Sequence, residues 1–413
     1  MEPQTFEQGA TSVPEARARM LAAVVPLATT ERVPLAEALD RVLAAAVVAE
    51  VDVPSVDNAA MDGFALRWAD LEPADGVLPV VGRVAAGDVP GALAPGVATR
   101  IFTGAPVPDG ADTVVRVEET EVEETGVEEG GRVRLHPGPK TRAGANVRRA
   151  GGDVERGALA LPAGRRLSPF DLGVAASVGV DRLTVVRRPR VAVVATGDEL
   201  TEPGGPLAPG GLFDGNGPLL RALLERAGAE VVHVGRAPDD LDATTRAMRA
   251  AAADADLLIT TGGVSVGDED HVKGAARALG GVDLWGVDMK PGRPVAFGRV
   301  AGVPWLGLPG NPAAASIAFL LFGAPLLRRL AGRADPFPEP WTLPAGFERT
   351  QPQRREEWLR VRREDGRAVP AGRQGSGVLS SMAASDALAR VPAGALITAG
   401  DSIDVFPFSE LLG

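Results

Sequence analysis

The stretch that decides the fold is Asp256-Leu-Leu-Ile-Thr-Thr-Gly-Gly-Val-Ser-Val-Gly-Asp-Glu-Asp270. Its first six residues, 256–261, are mostly apolar and β-branched, which predicts a short buried strand. A glycine-rich loop follows, in which backbone N–H groups can approach an anion closely. Its candidate binding residues are Gly262, Gly263, Ser265 and Gly267. The acids at 268–270 precede a helical pattern, where carboxylates can cap the helix or hold a divalent cation over phosphates. The stretch predicts a phosphate-and-metal site; the alternative is a tight turn with an acidic cap.

Regular alternation of strands and helices surrounds this stretch. Strands are predicted at 190–195, 230–235, 256–261, 282–288, 294–298 and 303–308, and helices at 216–228, 239–253, 269–279 and 312–330. This order predicts a doubly wound, mostly parallel α/β sheet with right-handed crossovers. Ligands bind such sheets at the carboxyl ends of the strands. Unusual loops follow the strands at 196–199, 239–240, 262–270, 290–294 and 307–312. We therefore expect these loops to share one binding rim.

Charged residues in these loops predict the chemistry of the rim. Glu199, Asp239, Asp268 and Asp270 offer the hard oxygen ligands that Mg²⁺ prefers. Lys290 is one of only three lysines against forty arginines, so its place beside Pro291-Gly292 indicates a need for a compact positive charge. Arg293 adds a second cation for an oxyanion or phosphate.

The loop at 307–312 predicts a rigid anion-binding turn. Pro309 and Pro312 stiffen the backbone, and Asn311-Pro312 begins a predicted helix whose first N–H groups can receive an anion. The sequence contains no Walker A motif and no GxGxxG after a strand, which argues against ordinary NTPase and dinucleotide-binding sites.

The N-terminal half predicts two further units. Residues 12–50 have apolar positions at helical spacing and predict an amphipathic packing or dimerisation segment. Residues 77–162 carry short β-type runs, which predict a separate β-rich domain. These runs are 78–84, 97–102, 113–117 and 132–135. Seven glutamates within 118–129 are expected on a solvated hairpin face. The paired arginines of 146–153 suit oxyanions or a plain surface.

A last unit follows the Pro-rich linker 335–340. β-type runs at 358–361, 378–379, 387–391 and 402–406 predict a small C-terminal β-barrel or sandwich over 336–413. Its own polar residues carry little information about function.

Composition limits the class of protein. The chain has 413 residues, 45% of them apolar, and a formal net charge of −11, which argues against a general nucleic-acid binder. It contains no cysteine and three histidines without metal-ligand spacing, so a structural zinc site is not expected. No secretory signal is visible at the N-terminus. The apolar run 313–327 is too short to span a bilayer. We expect a cytoplasmic protein without a membrane anchor.

Several of these stretches, taken together, resemble the molybdopterin molybdenumtransferase family, the molybdenum insertases that include the C-terminal domain of gephyrin. The matching stretches run in the family's order and cover nearly the whole chain. They are Pro54-Ser-Val-Asp-Asn-Ala-Ala-Met-Asp-Gly63, Thr103-Gly-Ala-Pro-Val-Pro108, Asn146-Val-Arg-Arg149 with Asp153, Thr196-Gly-Asp-Glu-Leu200, Thr261-Gly-Gly-Val-Ser-Val-Gly267, Lys290-Pro-Gly292 and Leu308-Pro-Gly-Asn-Pro312.

The resemblance implies a multidomain α/β plus β architecture. An elongated helical dimerisation domain would comprise 1–48 and 155–185, with the β-rich domain, 49–154, inserted into it. A molybdopterin-binding α/β domain would follow at 186–332, and the C-terminal β domain at 336–413. The resemblance also implies a homodimer, in which the α/β domain of one subunit and the β-rich domain of the other build each site.

The reaction that the resemblance implies uses adenylylated molybdopterin, molybdate and Mg²⁺, and releases AMP. The implied catalytic residues are Asp57, Thr103, Asp153, Glu199, Asp239, Asp270 and Lys290, with Glu199, Asp239 and Asp270 at the metal. The implied substrate-binding residues are Thr196, Gly262, Gly263, Ser265, Gly267, Arg293, Pro309, Asn311, Pro312, Arg355 and Ser376. Further partners would be a molybdopterin adenylyltransferase and apo-molybdoenzymes or their chaperones.

Two positions depart from several relatives. Gly286 stands where they have a basic residue, and Ala314 where they have serine, so oxyanion binding would differ in detail, with Arg293 or Ser316 as possible compensation. Two other functions stay open: a molybdopterin adenylyltransferase, whose fold resembles 190–330, and a non-catalytic dimeric scaffold. The flanking domains and the retained acids argue against them. The sequence does not separate molybdate from tungstate.

Overall fold

A computed structural model of the chain describes residues 11–122, 131–264 and 271–413. Its central α/β unit contains a six-stranded sheet. The strand order is Glu230–Ala237, Arg190–Thr196, Leu257–Thr261, Val303–Leu308, Ala296–Val300 and Gly280–Trp285. The first four strands are parallel, and Ala296–Val300 runs antiparallel to both of its neighbours. The predicted doubly wound, mostly parallel sheet is confirmed.

Helices cover both faces of this sheet, which explains its continuous apolar strands. They are Asn216–Arg226, Leu241–Ala252, His271–Leu279, Pro312–Ala318 and Ala324–Leu330. Alternate residues of one strand face opposite sides: Val191 and Val193 belong to one buried cluster, and Ala192 and Val194 to the other. Each of the four parallel strands is followed along the chain by one of these helices, so their carboxyl ends lie at one rim.

The last helical segment of the α/β unit, 312–330, is a core element. A π-helical turn, Phe319–Gly323, joins its two α-helical parts, so the helix runs from Pro312 to Leu330. It is longer than the predicted apolar run, and by length and composition alone it could cross a membrane; among the described residues it is the one helix for which this holds. However, 94% of its most apolar window is buried inside the fold, as expected for the core helix of a globular domain.

The N-terminal prediction is wrong after the first helix. Apart from a 3₁₀ turn at Leu35–Glu37, only Val13–Ala22 is helical, and its Met20 packs into the core of the α/β unit. The strand Thr30–Pro34 follows and pairs with Arg182–Val186. Pro26 and Pro34 interrupt the helical pattern, since proline cannot donate the helical hydrogen bond. The second α-helix of this region is Pro169–Ser177, so 11–48 and 155–185 combine two short helices with short strands and not one long helix.

The β-rich prediction is confirmed for all four runs. They lie in a six-stranded sheet of order Thr113–Arg116, Gly63–Leu66, Ala98–Ile101, Val77–Val84, Arg132–Leu135 and Thr120–Val122. The buried strand Gly63–Leu66 was not predicted. Of the glutamate-rich segment, the part up to Val122 is described and its edge strand is mostly exposed; 123–130 lie outside the described residues.

The C-terminal unit is also β-rich. Its sheet has the order Met289–Lys290, Glu356–Glu364, Ala387–Val391, Ser402–Pro407 and Trp341–Pro344, with Arg367–Pro370 paired to Glu356–Glu364. The strand expected at 378–379 is wrong, because Leu379–Ala383 forms a short helix. The chain closes with the helix Phe408–Leu412. Met289–Lys290 belongs in sequence to the α/β unit, so this pairing joins the two units.

Short strand pairs and turns complete the structure. The pairs are Val47–Val48 with Leu159–Leu161, Asn58–Ala59 with Val147–Arg148, and Leu200–Thr201 with Leu212–Phe213. Turns of 3₁₀ helix occur at Leu35–Glu37, Trp68–Asp70 and Val117–Glu119.

Candidate active-site groove and the neighbouring cavity

A groove of about 740 Å³ lies at the carboxyl ends of the central parallel strands. Loops at 196–199, 239 and 309–312 meet there with the glycine turn after Thr261. The groove brings together eight of the residues expected at the site: Thr196, Glu199, Asp239, Gly262, Gly263, Pro309, Asn311 and Pro312. The strand-end rim expected from the sequence is therefore one continuous surface.

Close packing explains the two glycines after the strand Leu257–Thr261. Gly262 has a φ of +88°, and a Cβ atom there would lie 2.8 Å from the carbonyl oxygen of Thr196. At Gly263, a Cβ atom would lie 2.5 Å from Cγ2 of Val272. A side chain at either position would collide with the neighbouring strand end or helix. These glycines let the backbone of the loop form the floor of the groove.

Three acidic residues line this groove: Glu199 and Asp239, which were expected at the site, and Asp214. The Glu199 side chain folds over Gly197, where a Cβ atom would lie 2.6 Å from its Oε2. The amide of Asp198 donates to Oδ2 of Asp239 at 3.1 Å, and the amide of Asp239 donates to Oδ1 of Asp198 at 3.3 Å. These two hydrogen bonds join the two strand-end loops and hold Asp198 and Asp239 side by side.

The carboxylates at the groove could supply only some of the ligands that Mg²⁺ needs. Within 11–122, 131–264 and 271–413, no group of three or more His, Asp or Glu side chains is arranged to hold a metal ion. Asp270, the third expected ligand, lies outside the described residues, as do Ser265, Gly267 and Asp268. Because Mg²⁺ typically takes one or two carboxylates together with substrate phosphates and waters, Glu199 and Asp239 suit it.

Sequence reasoning missed the other wall of the groove. The Asn216 side-chain amide donates to Oγ1 of Thr261 at 2.8 Å and to the carbonyl oxygen of Gly310 at 2.7 Å. Oδ1 of Asp214 accepts the amides of Asn216 and Gly217 at 2.9 and 3.0 Å. Asn216 thus ties the start of its helix to two neighbouring loops. The run of turn formers Asp214-Gly-Asn-Gly217 before a helical pattern was the available signal.

At the helix start Asn311-Pro312, some of the backbone N–H groups expected to bind an anion are missing or already hydrogen-bonded. Proline has no N–H group, and the amide of Ala314 donates to the carbonyl oxygen of Ser376 at 3.1 Å. The amide of Ala315 donates within the helix, to Asn311 at 2.9 Å. This leaves less of the first helical turn for an anion than the sequence indicated, because the C-terminal unit takes one of its donors.

Lys290 lies in a second cavity, of about 310 Å³, and is not among the residues that line the groove. Its Nζ is 2.9 Å from Oε1 of Glu357 and 3.3 Å from Oε1 of Gln353. Nε of Arg349 contacts the other oxygen of Glu357 at 3.0 Å. The Glu357 side chain, only 6% exposed, shares its carboxylate between two cations. The lysine therefore belongs to a cationic cavity beside the groove.

The segment 374–379 connects these two spaces. Gln374 lines the Lys290 cavity, while Gly377 and Leu379 line the groove. Ser376 lies between them and contacts the helix start through its carbonyl oxygen. Arg355, also expected at the site, lies with its Nε 3.6 Å from Oδ1 of Asp288 and lines neither space.

Three positions bear on the departures from the relatives. Arg293 is only partly exposed, and its carbonyl oxygen accepts the amides of Val287 and Val295 at 3.0 and 2.9 Å. Ala314 is buried. The hydroxyl of Ser316 donates to the carbonyl oxygen of Pro312 at 2.8 Å inside its helix. Ser316 therefore does not take the place of the serine that several relatives have at the position of Ala314.

The expected residues of the β-rich region, Asp57, Thr103 and Asp153, have their contacts within that region. Asp57 accepts the amide of Ala150 at 2.8 Å and pairs with Arg149. The amide hydrogen bond, assisted by Arg149, lowers the pKa of Asp57. Thr103 donates through both its amide and its hydroxyl to Oδ1 of Asp62, at 2.7 Å each. Asp153 is exposed. None of these three residues lines the groove of the same chain.

Known protein families match nearly the whole length of the chain. Residues 11–179 match the MoeA N-terminal region (domain I and II), 192–329 the probable molybdopterin binding domain, and 342–408 the MoeA C-terminal region (domain IV). The molybdopterin molybdenumtransferase of Haemophilus influenzae is 34% identical over 415 residues, which cover 97% of this chain and 99% of that protein. Molybdopterin molybdenumtransferase 2 of Mycobacterium tuberculosis is 37% identical over 389 residues, or 91% and 94%.

The fold agrees with a solved structure. The molybdopterin biosynthesis MoeA protein of Pyrococcus horikoshii OT3 superposes with a TM-score of 0.83 at 28% sequence identity, covering 97% of this chain and 100% of that one. Sequence and fold agree over the same span, from the first helix to the C-terminal sheet. The chain therefore belongs to the molybdopterin molybdenumtransferase family.

Proposed function

We propose that this protein transfers molybdenum from molybdate to adenylylated molybdopterin, with Mg²⁺-dependent release of AMP, in molybdenum cofactor biosynthesis. One observation supports this function most directly. A large groove that contains the carboxylates of Glu199 and Asp239 and a glycine turn lies beside a smaller cationic cavity, and the segment 374–379 lines both. One substrate can occupy the groove while an oxyanion occupies the cavity.

The groove suits an adenylylated pterin in size and lining. Its volume of about 740 Å³ lies within the range of small-molecule sites. Leu212 and Phe213 line it with exposed apolar surface, against which a planar ring can pack. Glu199 and Asp239 would hold Mg²⁺, which would neutralise charge on the phosphates. The amide of Asn216 keeps the surrounding loops in register.

The Lys290 cavity suits molybdate because its charge balance is positive. Three cationic side chains line it, Lys290, Arg349 and Arg360, against the two acids Glu348 and Glu357. A doubly charged tetrahedral anion can receive charge-assisted hydrogen bonds there. The net charge of the whole chain is −11, so a local cluster of this kind is needed to attract an oxyanion.

The proposal includes a cytoplasmic homodimer, with the domain division given above. Asp57, Thr103 and Asp153 lie away from the groove of their own chain. In a dimer, the β-rich domain of one subunit would bring these three residues to the groove of the other. An adenylyltransferase would supply the substrate, and apo-molybdoenzymes or their chaperones would receive the product.

Incubation of the purified protein with adenylylated molybdopterin, molybdate and Mg²⁺ tests the proposal. AMP should be released in step with cofactor formation, measured by chromatography and by reconstitution of an apo-molybdoenzyme. Tungstate in a parallel reaction measures selectivity between the oxyanions. Consumption of ATP with unmodified molybdopterin would identify an adenylyltransferase, and absence of both reactions would favour a scaffold.

A further inference from the structure

Arg360 is a fully buried cation in the middle of the strand Glu356–Glu364, with 0% of its surface exposed. Its Nη2 donates to the carbonyl oxygens of Arg373 and Gly375, both at 3.0 Å. Its Nε donates to Oγ of Ser381 at 3.0 Å. One guanidinium therefore holds both ends of the segment 373–381.

Gln374 completes this attachment from the opposite direction. Its Oε1 accepts the backbone amide of Arg360 at 2.8 Å, and its Nε2 donates to the backbone carbonyl of Arg360 at 3.0 Å. Ser381 in turn donates to the carbonyl oxygen of Val378 at 2.7 Å. The strand and the segment are thus joined by side chains from both partners.

The segment that Arg360 holds is the one that lines both spaces of the proposed site. Its Ser376 carbonyl receives the amide of Ala314. A Cβ atom at Gly377 would lie 3.6 Å from Oδ1 of Asn311, so this glycine packs directly on the groove. A small shift of the segment would change the groove and the Lys290 cavity together.

The chemistry of Arg360 is unfavourable for a purely structural role. Burial lowers its pKa, and its Nη1, also buried, has no hydrogen-bond partner among the described residues. An apolar side chain of similar volume usually stabilises a core better than a buried ion does. The fork of donors on a guanidinium, however, can fix several oxygens in one geometry.

We infer that Arg360 is a positioning residue, which sets the segment 373–381 between the groove and the Lys290 cavity so that both substrates can bind together. The inference rests on the proposed function for its substrates. That Arg360 holds the segment 373–381 in place is a separate claim, which can be measured without the substrates.

Hydrogen exchange of the free protein tests the positioning. In Arg360→Lys, the amides of 373–381 should exchange at least about tenfold faster, because the guanidinium that holds the segment by its carbonyl oxygens and the Ser381 hydroxyl is lost. Arg41→Lys is a matched control: Arg41 is also a buried arginine with a carbonyl and a carboxylate partner, in a different unit. Unchanged exchange in Arg360→Lys, or equal acceleration in the control, would overturn the inference.

Ligand titration then tests the consequence for binding. Molybdate and AMP are titrated by calorimetry into wild type, Arg360→Lys, Ser376→Ala and the double variant. Arg360→Lys should weaken molybdate binding about tenfold, and adding Ser376→Ala should weaken it little further, because coupled residues are not additive. Fully additive losses indicate a general loss of stability and oppose the inference.

Gln374→Ala keeps the test available if Arg360→Lys does not fold. Gln374 is only partly buried, and its loss removes the reciprocal contacts while leaving the core cation in place. The same acceleration of exchange is expected, and its absence counts against the inference. If wild type binds neither molybdate nor AMP, the proposed function fails, while the exchange result still decides the role of Arg360.

Discussion

Replacing Lys290 by alanine is expected to weaken molybdate binding about tenfold to a hundredfold. The Lys290 ammonium is 2.9 Å from Glu357, a buried carboxylate that Arg349 also contacts at 3.0 Å. With two cations on one carboxylate, a positive charge remains available to an anion. The substitution removes that excess charge while Arg349 still neutralises Glu357, so we expect little loss of folding stability.

The magnitude follows from distance and exposure. A unit charge about 4 Å from an anion contributes roughly 4 kcal/mol at an effective dielectric constant of about 20. The Lys290 side chain is 53% exposed, so solvent screens its charge. The contribution to binding is therefore reduced toward roughly 1.5–3 kcal/mol, as is typical of hydrogen bonds to charged groups. About 1.4 kcal/mol corresponds to a tenfold change in Kd.

Calorimetric titration of molybdate into each variant measures the effect. Lys140→Ala serves as the matched control, because it makes the same change in net charge and lines neither the groove nor the Lys290 cavity. Lys290→Arg should recover only part of the affinity, since a planar fork does not replace a compact ammonium. Glu357→Gln should bind molybdate at least as tightly as wild type, because a competing carboxylate is gone. If Lys290→Ala binds molybdate like Lys140→Ala, the oxyanion lies elsewhere.

Three further outcomes are expected. Asp239→Asn should lower the rate of AMP release about a hundredfold or more at saturating Mg²⁺. Asp242→Asn, on the exposed first turn of the next helix, is the control and should leave the rate unchanged. Equal rates in the two variants would show that Asp239 is not part of the site. Asn216→Ala should weaken AMP binding about tenfold by releasing two loops, and unchanged calorimetric affinity would contradict this. Inactive Asp57→Ala and Asp239→Asn chains should regain activity when mixed into verified heterodimers, and continued inactivity would oppose a shared site.

The groove was predictable because its parts obey local rules. Thr196, Gly262 and Asn311 each follow a strand whose apolar pattern is visible in the sequence, and parallel strands bring their carboxyl ends to one edge. The resemblance to a family then supplied the roles that the loops alone left open. Those roles stay predictions for this chain.

Lys290 could not be placed by the same rules. Its loop follows a strand-like run, so the sequence put it on the rim with the other loops. In the structure, that strand ends at Trp285, and Met289–Lys290 pairs with Glu356–Glu357 of the C-terminal sheet. Pairing between segments so far apart leaves no trace in local periodicity. The buried Arg360 was invisible for the same reason.

The failure at residues 12–50 has a related cause. Apolar residues there recur at helical spacing, but Thr30–Pro34 gains a partner in Arg182–Val186. Tertiary pairing thus outweighed a weak helical preference, as often happens in short segments. The strand Gly63–Leu66 was hidden by the turn signal of Asp62-Gly63 just before it.

The pairing of Thr30–Pro34 with Arg182–Val186 has a consequence for the modularity of the chain. Pro34 lies opposite Arg182, and the amide of Leu35 donates to the carbonyl oxygen of Asp181 at 3.2 Å. Residues 35–181 therefore leave and return at one point, like an insert with both ends on adjacent strands, and residues 42–44 pair with 184–186 beside that point. A two-residue turn could close that point into a hairpin. Val33 and Leu183 of this pair share a buried cluster with the near part of the insert, such as Leu43 and Leu167. The near part is therefore fixed by packing, and changes of length are expected to be tolerated farther out.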